Sequence, residues 1–192
     1  MRMLAVFTIV AAGFCLLAAN PRDSVPPDGY DVVEAYRIYD VVLSHAATNT
    51  ALVIQEETEA TVAVSEWCLS AEAKQEFKTS IEDYARANER PRRLQQQLRI
   101  DQPYQLVSSD TIKSILAGTD WAGFKQRYPG SGGYFAMSAV GFNADKTHAI
   151  ASSAYVCGGR CGHAGLHLLK KFEGNWKLVA GTASRVKCSI VF

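Results

Sequence analysis

Four residues in the last third of the chain have side chains of the types that bind zinc. They follow the pattern Cys157-x3-Cys161-x-His163-x3-His167, and thiolates and imidazoles are common zinc ligands. If the two histidines lie on one strand, they are about 13 Å apart along it. A single zinc ion needs all its ligand atoms within about 2 Å, so zinc is kept as a minor alternative. The sequence predicts no metal and no cofactor.

Serine and histidine residues could also assemble into a hydrolase-like site. Ser131 lies in a glycine-rich turn, but its flanking residues do not form the G-x-S-x-G pattern of a nucleophile elbow. His148 is isolated in the sequence, and both His148 and His163 could join Ser131 only in the fold. An enzyme with dispersed Ser131, His148 or His163 is therefore the alternative hypothesis, and no catalytic residue is predicted.

Aromatic residues before and within the predicted sheet define a candidate ligand or partner cleft. A helical spacing indicates that they pack a helix onto the sheet. A cleft beside glycines 130 to 133 is the functional interpretation of the same cluster. Its candidate residues are Trp121, Tyr128, Ser131 and Tyr134.

Charged residues form two local concentrations. Acidic residues at positions 56, 57 and 59 could divide acid and base roles, but such runs are usually solvated. Basic residues at positions 86, 90, 92 and 93 favour a solvated helix end, with contact to an anion or an acidic partner as the functional alternative.

The N-terminus has the pattern of a secretory signal peptide. Arg2 precedes an apolar run that ends in small residues near Ala19. This run is shorter than the roughly 20 residues needed to span a bilayer, so no stable transmembrane span is expected after its removal. We predict a signal peptide over residues 1–19, a linker over 20–28 and one domain over 29–192, in a secreted or periplasmic protein.

Four cysteines follow the leader, and an even number in an exported chain is typical of disulfides. We favour Cys157 with Cys161, because the intervening glycines permit a tight loop, and Cys68 with Cys188. Three pairings of four cysteines exist, so the connectivity stays open. The C-x3-C spacing differs from the C-x-x-C of thiol oxidoreductases, which makes a structural disulfide the default.

Composition excludes several classes of protein. The chain has 192 residues, 48% of them hydrophobic, with 20 Lys and Arg against 19 Asp and Glu. It is too apolar to be disordered. Without a basic surplus, it is not expected to bind nucleic acid.

Hydrophobic periodicity predicts helices early in the chain and strands late. A period of two begins near Gly133 and predicts an antiparallel meander. The fold class is therefore α+β, with N-terminal helices packed on a C-terminal antiparallel β-meander. Helices are predicted over 30–43, 70–88, 110–116 and 120–128. Strands are predicted over 51–54, 134–142, 147–157, 163–172 and 176–182, with extended pieces over 98–107.

Several motifs together resemble a group of uncharacterised exported bacterial proteins. They are a YRIY segment at 36–39, a YPGSxG segment at 128–133, SAVGFN at 138–143, CGxxCG at 157–162 and GNW at 174–176. The resemblance implies a bacterial exported origin and carries no activity. We expect a non-catalytic envelope or periplasmic domain that binds an unknown protein or small ligand.

Overall fold

A computed structural model describes residues 29–46, 51–62, 64, 68–179 and 190–191. The predicted signal peptide over 1–19 and the linker over 20–28 lie outside the described residues. The helices are α1 (Val32–Ala46), α2 (Ala71–Glu76), α3 (Lys78–Ala87) and α4 (Ser109–Arg127). The strands are β1 (Leu52–Gln55), β2 (Tyr104–Val107), β3 (Tyr134–Met137), β4 (Gly141–Phe142), β5 (His148–Gly158), β6 (Cys161–Phe172), β7 (Asn175–Leu178) and β8 (Ile190–Val191).

The strands form one mixed sheet with the order β2-β1-β3-β5-β6-β7, to which β4 and β8 add by pairing with β5 and β6. The pairs β3–β5, β5–β6 and β6–β7 are antiparallel, as the period of two predicts. Strand β1, however, runs parallel to both β2 and β3. The α+β class is supported, but the prediction of a purely antiparallel meander is wrong.

Strands also lie between the helices, near the segments 51–54 and 98–107 that the sequence predicts as extended, and they belong to the same sheet as the later strands. Strand β1 separates α1 from α2, and β2 lies between α3 and α4. A buried parallel strand is a short, continuous apolar run with no alternation, so the sequence pattern of β1 reveals neither its partners nor its direction. The prediction of segregated N-terminal helices is therefore corrected.

The helices cover both faces of the sheet. Leu52 and Ile54 of β1 pack with α1, whereas Val53 packs with Phe124 of α4. On β5, Ala149 lies on the α1 side, and its neighbour Ile150 lies among α2 and α3 residues. Because successive strand residues face opposite sides, the sheet is the middle layer between two helical layers.

Two predicted boundaries are corrected by side chains that bind backbone groups. Helix α4 continues past Gly118 and breaks at Asp120, which has φ of 59° and accepts a hydrogen bond from the Ala122 N–H at 2.6 Å. The strand predicted over 134–142 is split into β3 and β4. Between them, Ala139 N–H donates to Asn88 Oδ1 at 2.9 Å instead of to a neighbouring strand.

The long helix predicted over 70–88 is nearly correct. Ser70 caps its start by accepting a hydrogen bond from the Ala73 N–H at 3.2 Å, and Asn88 ends it. Phe77, which is fully buried, divides it into α2 and α3. Within the described part of the chain, no helix combines the length and apolar character that crossing a membrane requires.

Candidate functional site

The hairpin between β5 and β6 carries the predicted disulfide between Cys157 and Cys161, whose Cα atoms are 5.1 Å apart. A sulfur that is bonded to another sulfur is not a thiolate ligand. The zinc set of Cys157, Cys161, His163 and His167 is therefore not assembled. The described residues contain no group of three or more acidic, histidine or cysteine side chains that could hold a metal ion.

Cys68 is also disulfide-bonded and is only 1% exposed. Its predicted partner, Cys188, lies outside the described residues, so this pairing stays a prediction. Cys68 belongs to the core cluster that includes Phe77 and Tyr84.

The residues of the predicted aromatic cleft are brought close to one another. Trp121 stacks on Tyr134 with ring centroids 6.2 Å apart, and Phe124 packs against Tyr128. Ser131 is only 1% exposed, and its hydroxyl donates to the Tyr128 carbonyl at 2.7 Å. A ligand cleft at these residues stays a prediction, and the Ser131 hydroxyl is committed to the turn.

The suspected histidines have other partners than Ser131. His148 Nδ1 accepts a hydrogen bond from Asn143 Nδ2 at 3.2 Å within the turn before β5. The His163 ring lies 5.9 Å from the Tyr155 ring across the β5–β6 hairpin. The dispersed site that sequence reasoning suggested is therefore not formed by Ser131, His148 and His163.

A different serine and histidine do meet, and sequence reasoning missed them. Ser153 Oγ lies 2.7 Å from His167 Nε2. Burial, together with the charges of His163 and His45, lowers the pKa of His167 from 6.5 to about 4. The imidazole is thus neutral near pH 7. Among the described residues, no carboxylate is hydrogen-bonded to it.

The register of the sheet explains this contact. Ser153 is opposite Gly165, and His167 is two residues further along β6 on the same face. A Cβ atom at position 165 would meet no atom of the described residues within 4 Å, so there is space beside Gly165 on this face. Ser153 itself is 5% exposed.

The acidic run has local structural partners. Glu56 pairs with Arg93, with Oε1 and Nε 2.8 Å apart, and Glu57 accepts a hydrogen bond from the Ser109 N–H at the start of α4 at 2.8 Å. These carboxylates stabilise the loop and helix around them and do not face each other as an acid–base pair.

A cleft of about 1000 Å³ that is lined by many charged residues lies between the start of α1, helix α3 and the turn between β4 and β5. Two other clefts have volumes of about 510 and 390 Å³. The lining of the 1000 Å³ cleft includes acidic residues at positions 31, 82, 83 and 89 and basic residues at positions 86, 90, 92 and 146. Three of the four arginines that the sequence singled out therefore line one cavity.

Two acidic residues of this cleft, Asp31 and Asp83, are each paired with a basic side chain. Asp83 Oδ2 accepts a hydrogen bond from the Phe142 N–H, and Oδ1 accepts one from Arg86, each at 2.8 Å. Asp31 pairs with Lys146. Burial alone would raise the pKa of Asp31, but hydrogen bonds from the Glu34 N–H and from Lys146 outweigh it and lower this pKa.

Buried contacts fix the floor of the cleft. The Tyr30 hydroxyl accepts a hydrogen bond from the Val140 N–H at 2.9 Å, and Arg92 lies 4.0 Å above the Tyr30 ring. Burial raises the pKa of Tyr30, so its phenol is neutral. The residues from which Tyr30 receives these contacts are far from it in sequence, which is why no local pattern predicted the cleft.

Comparison of the whole chain with protein families, with curated proteins and with solved structures finds no match.

Proposed function

We propose that this chain is an exported, disulfide-containing bacterial protein that acts in the periplasm or envelope as a non-catalytic binding domain. The disulfide-bonded Cys157, Cys161 and Cys68 support an oxidising compartment. The observation that carries the binding function is the charged-residue cleft of about 1000 Å³. Its volume lies at the upper end of the range of ligand sites.

The charges of the cleft favour a peptide segment of a partner protein as the ligand. Glu82, Glu89 and Arg90 are exposed at its rim and form no ion pair with another described residue. Asp31 and Asp83 deeper in the cleft are already paired. The rim therefore offers both signs of charge to a ligand, and an extended peptide with acidic and basic side chains complements it.

Calorimetric titration tests this proposal. The probe is a blocked hexapeptide of alternating Glu and Lys, and its control has Gln at all six positions. We expect saturable binding of the charged peptide only. Arg90→Glu should weaken it at least fivefold, because it reverses one rim charge. Arg127→Glu is the matched control, since Arg127 is exposed on α4 and outside the cleft, and should leave the affinity unchanged. Equal binding of both peptides, or equal effects of both variants, would contradict the proposal.

The contact between Ser153 and His167 favours a second candidate, a hydrolase-like function. A neutral imidazole 2.7 Å from a serine hydroxyl can accept its proton as the hydroxyl attacks an ester. Among the described residues, none fills the space of a Cβ atom at Gly165, which lies opposite Ser153. Burial of Ser153 and the absence of a carboxylate partner of His167 among the described residues rank this candidate second.

Labelling with a fluorophosphonate separates the two functions. A hydrolase should be labelled at Ser153, and Ser153→Ala and His167→Gln should abolish the labelling. Ser131→Ala should not change it, because that hydroxyl donates to the backbone. Absence of labelling in the folded wild-type protein would rule out Ser153 as a nucleophile and leave binding as the function.

A further inference from the structure

We propose that the disulfide between Cys157 and Cys161 is redox-active and exchanges electrons with a dithiol protein of the compartment to which the chain is exported. This inference goes beyond the binding function and does not depend on the cleft. Three observations support it: the disulfide lies in an exposed turn, the hairpin is paired without it, and the bond at Cys68 is buried.

The disulfide lies at an accessible tip. Cys161 and the two preceding residues, Gly159 and Arg160, are exposed, and Cys157 is half-buried. A Cβ atom at position 159 would meet no atom of the described residues within 4 Å, so none of them covers the turn that connects the two cysteines. A thiolate must approach a sulfur atom directly to exchange with it, and Cys161 offers that approach.

The hairpin is held together without this bond. Strands β5 and β6 pair continuously from His148 opposite Lys170 to Val156 opposite Gly162. The Tyr155 hydroxyl also donates to the Ser131 carbonyl at 3.1 Å and fixes the end of β5 to the neighbouring loop. The disulfide closes a loop with a sequence separation of only 4, which adds little to the stability of strands that are already paired. Reduction should therefore leave the fold intact.

Cys68 shows the opposite environment within the same protein. It is disulfide-bonded and only 1% exposed, among apolar residues such as Leu69 and Phe77. A buried disulfide is shielded from an attacking thiolate and depends on the packing around it. From these two environments we infer that the bond at Cys68 stabilises the fold, whereas the bond at the hairpin tip takes part in thiol–disulfide exchange.

The exchange proceeds in two balanced steps. A thiolate of the partner attacks Cys161 Sγ, the bond between Cys157 and Cys161 breaks, and Cys157 leaves as a thiolate that takes a proton from water. The second partner thiolate then attacks the partner's own sulfur in the mixed disulfide and releases Cys161 as a thiolate, which also takes a proton from water. The partner is oxidised to a disulfide, and this chain gains two electrons and two protons. Arg160 lies between the two cysteines in the exposed turn and supplies a positive charge to this loop, and a nearby cation favours the thiolate form.

Differential alkylation of the full-length exported protein tests the order of reduction. The protein is equilibrated with mixtures of reduced and oxidised dithiothreitol and trapped with iodoacetamide, and peptides are identified by mass. Cys157 and Cys161 should become alkylated at a reduced-to-oxidised ratio at least tenfold lower than Cys68, with an unchanged circular dichroism spectrum. Reduction of Cys157 and Cys161 only together with Cys68, or only with loss of the spectrum, would overturn the proposal.

A second measurement tests the attacked sulfur. Cys157→Ser leaves the exposed Cys161 as a free thiol, and Cys161→Ser leaves the half-buried Cys157. With an aromatic disulfide reagent, Cys157→Ser should react at least tenfold faster than Cys161→Ser. Adding Arg160→Glu to Cys157→Ser should slow it severalfold, whereas adding Arg127→Glu should not. Equal rates for the two cysteine variants, or no effect of Arg160→Glu, would contradict the assigned roles.

Discussion

The side chain of His167 is a buried titratable group whose lowered pKa makes the stability of the fold depend on pH. Burial lowers its pKa to about 4 from 6.5, so the unfolded chain binds a proton more readily than the folded protein between these values. Stability contributed by neutral His167 is therefore complete above pH 6.5 and is lost as the pH falls toward 4. Its only described hydrogen-bond partner is Ser153.

We predict that the wild-type protein loses on the order of 3 kcal/mol of unfolding free energy between pH 7 and pH 4 through this group. His167→Gln should lack most of this loss, because glutamine does not titrate. Urea denaturation at pH 7, 5.5 and 4.5 measures it. Asp31 and Glu34 have lowered pKa values, so they titrate mainly below this range. Parallel pH dependences of the two proteins would contradict the prediction.

Residue contacts across the sheet could not be predicted from the sequence. The alternation of β5 and β6 predicts which side chains share a face, but the contact of Ser153 with His167 also requires the register of the pair. The pairing of Asp31 with Lys146 joins residues 115 positions apart. The disulfide of Cys157 and Cys161 was predictable because its geometry is local.

At the scale of elements, helix α3 lies directly on β4. A Cβ atom at position 141 would be 2.3 Å from the Ser80 carbonyl oxygen and from the Tyr84 nitrogen. Glycine is therefore required at position 141 for the close approach of helix and strand. The same approach places Asp83 against the Phe142 N–H and forms one wall of the cleft.

Gly141→Ala should lower the free energy of unfolding by about 3 kcal/mol, because helix and strand must separate to admit a methyl group. Gly118→Ala is a matched control on α4, where a Cβ atom meets nothing within 4 Å. It should raise stability by up to about 1 kcal/mol through helix propensity. Chemical denaturation of both variants measures the difference. A Gly141→Ala protein as stable as wild type would contradict the requirement for glycine at position 141.

Helix α1 is fixed to the edge of the sheet through Glu34. Its carboxylate pairs with Lys171 of β6 at 2.8 Å and with Arg37 at 2.9 Å, and it accepts a hydrogen bond from Trp176 Nε1 of β7 at 2.5 Å. The side chain of Glu34 is only 13% exposed. Three donors thus bind one shielded carboxylate, and two of them connect helix α1 to strands β6 and β7.

We expect Glu34→Gln to reduce the free energy of unfolding by about 2 kcal/mol, since it removes the charge from a shielded set of partners. Glu82→Gln, an exposed change on α3, should alter stability by less than about 0.5 kcal/mol. Denaturation in urea at pH 7 compares the two variants. Equal effects would mean that Glu34 acts only as a surface charge.

At the scale of the whole molecule, the sequence predicted the helices and the antiparallel strands but not the mixed sheet. Periods of 3.6 and 2 report local structure, whereas the parallel pairing of β1 with β2 and β3 is set by long-range packing. The candidate cleft depends on the same long-range order, because α1, α3 and the β4–β5 turn meet only in the folded chain.

Export of the whole chain has its own test. Expressed with its leader in a bacterial host, the protein should accumulate in the periplasm with a mass that corresponds to loss of about 19 residues. Reduction should add about 4 Da, because two disulfides take up four hydrogen atoms. A cytoplasmic protein of full-length mass, with no gain on reduction, would contradict the predicted compartment.

The most direct test of binding at the cleft is an NMR titration of the isotope-labelled exported protein with the alternating Glu–Lys peptide. The binding account predicts saturable shifts of amide signals that line the cleft, such as those of Gly29, Arg90 and Ala144, and no shifts with the glutamine peptide. Saturable shifts confined to residues around Ser153 and Gly165, or no saturable shifts at all, would contradict it.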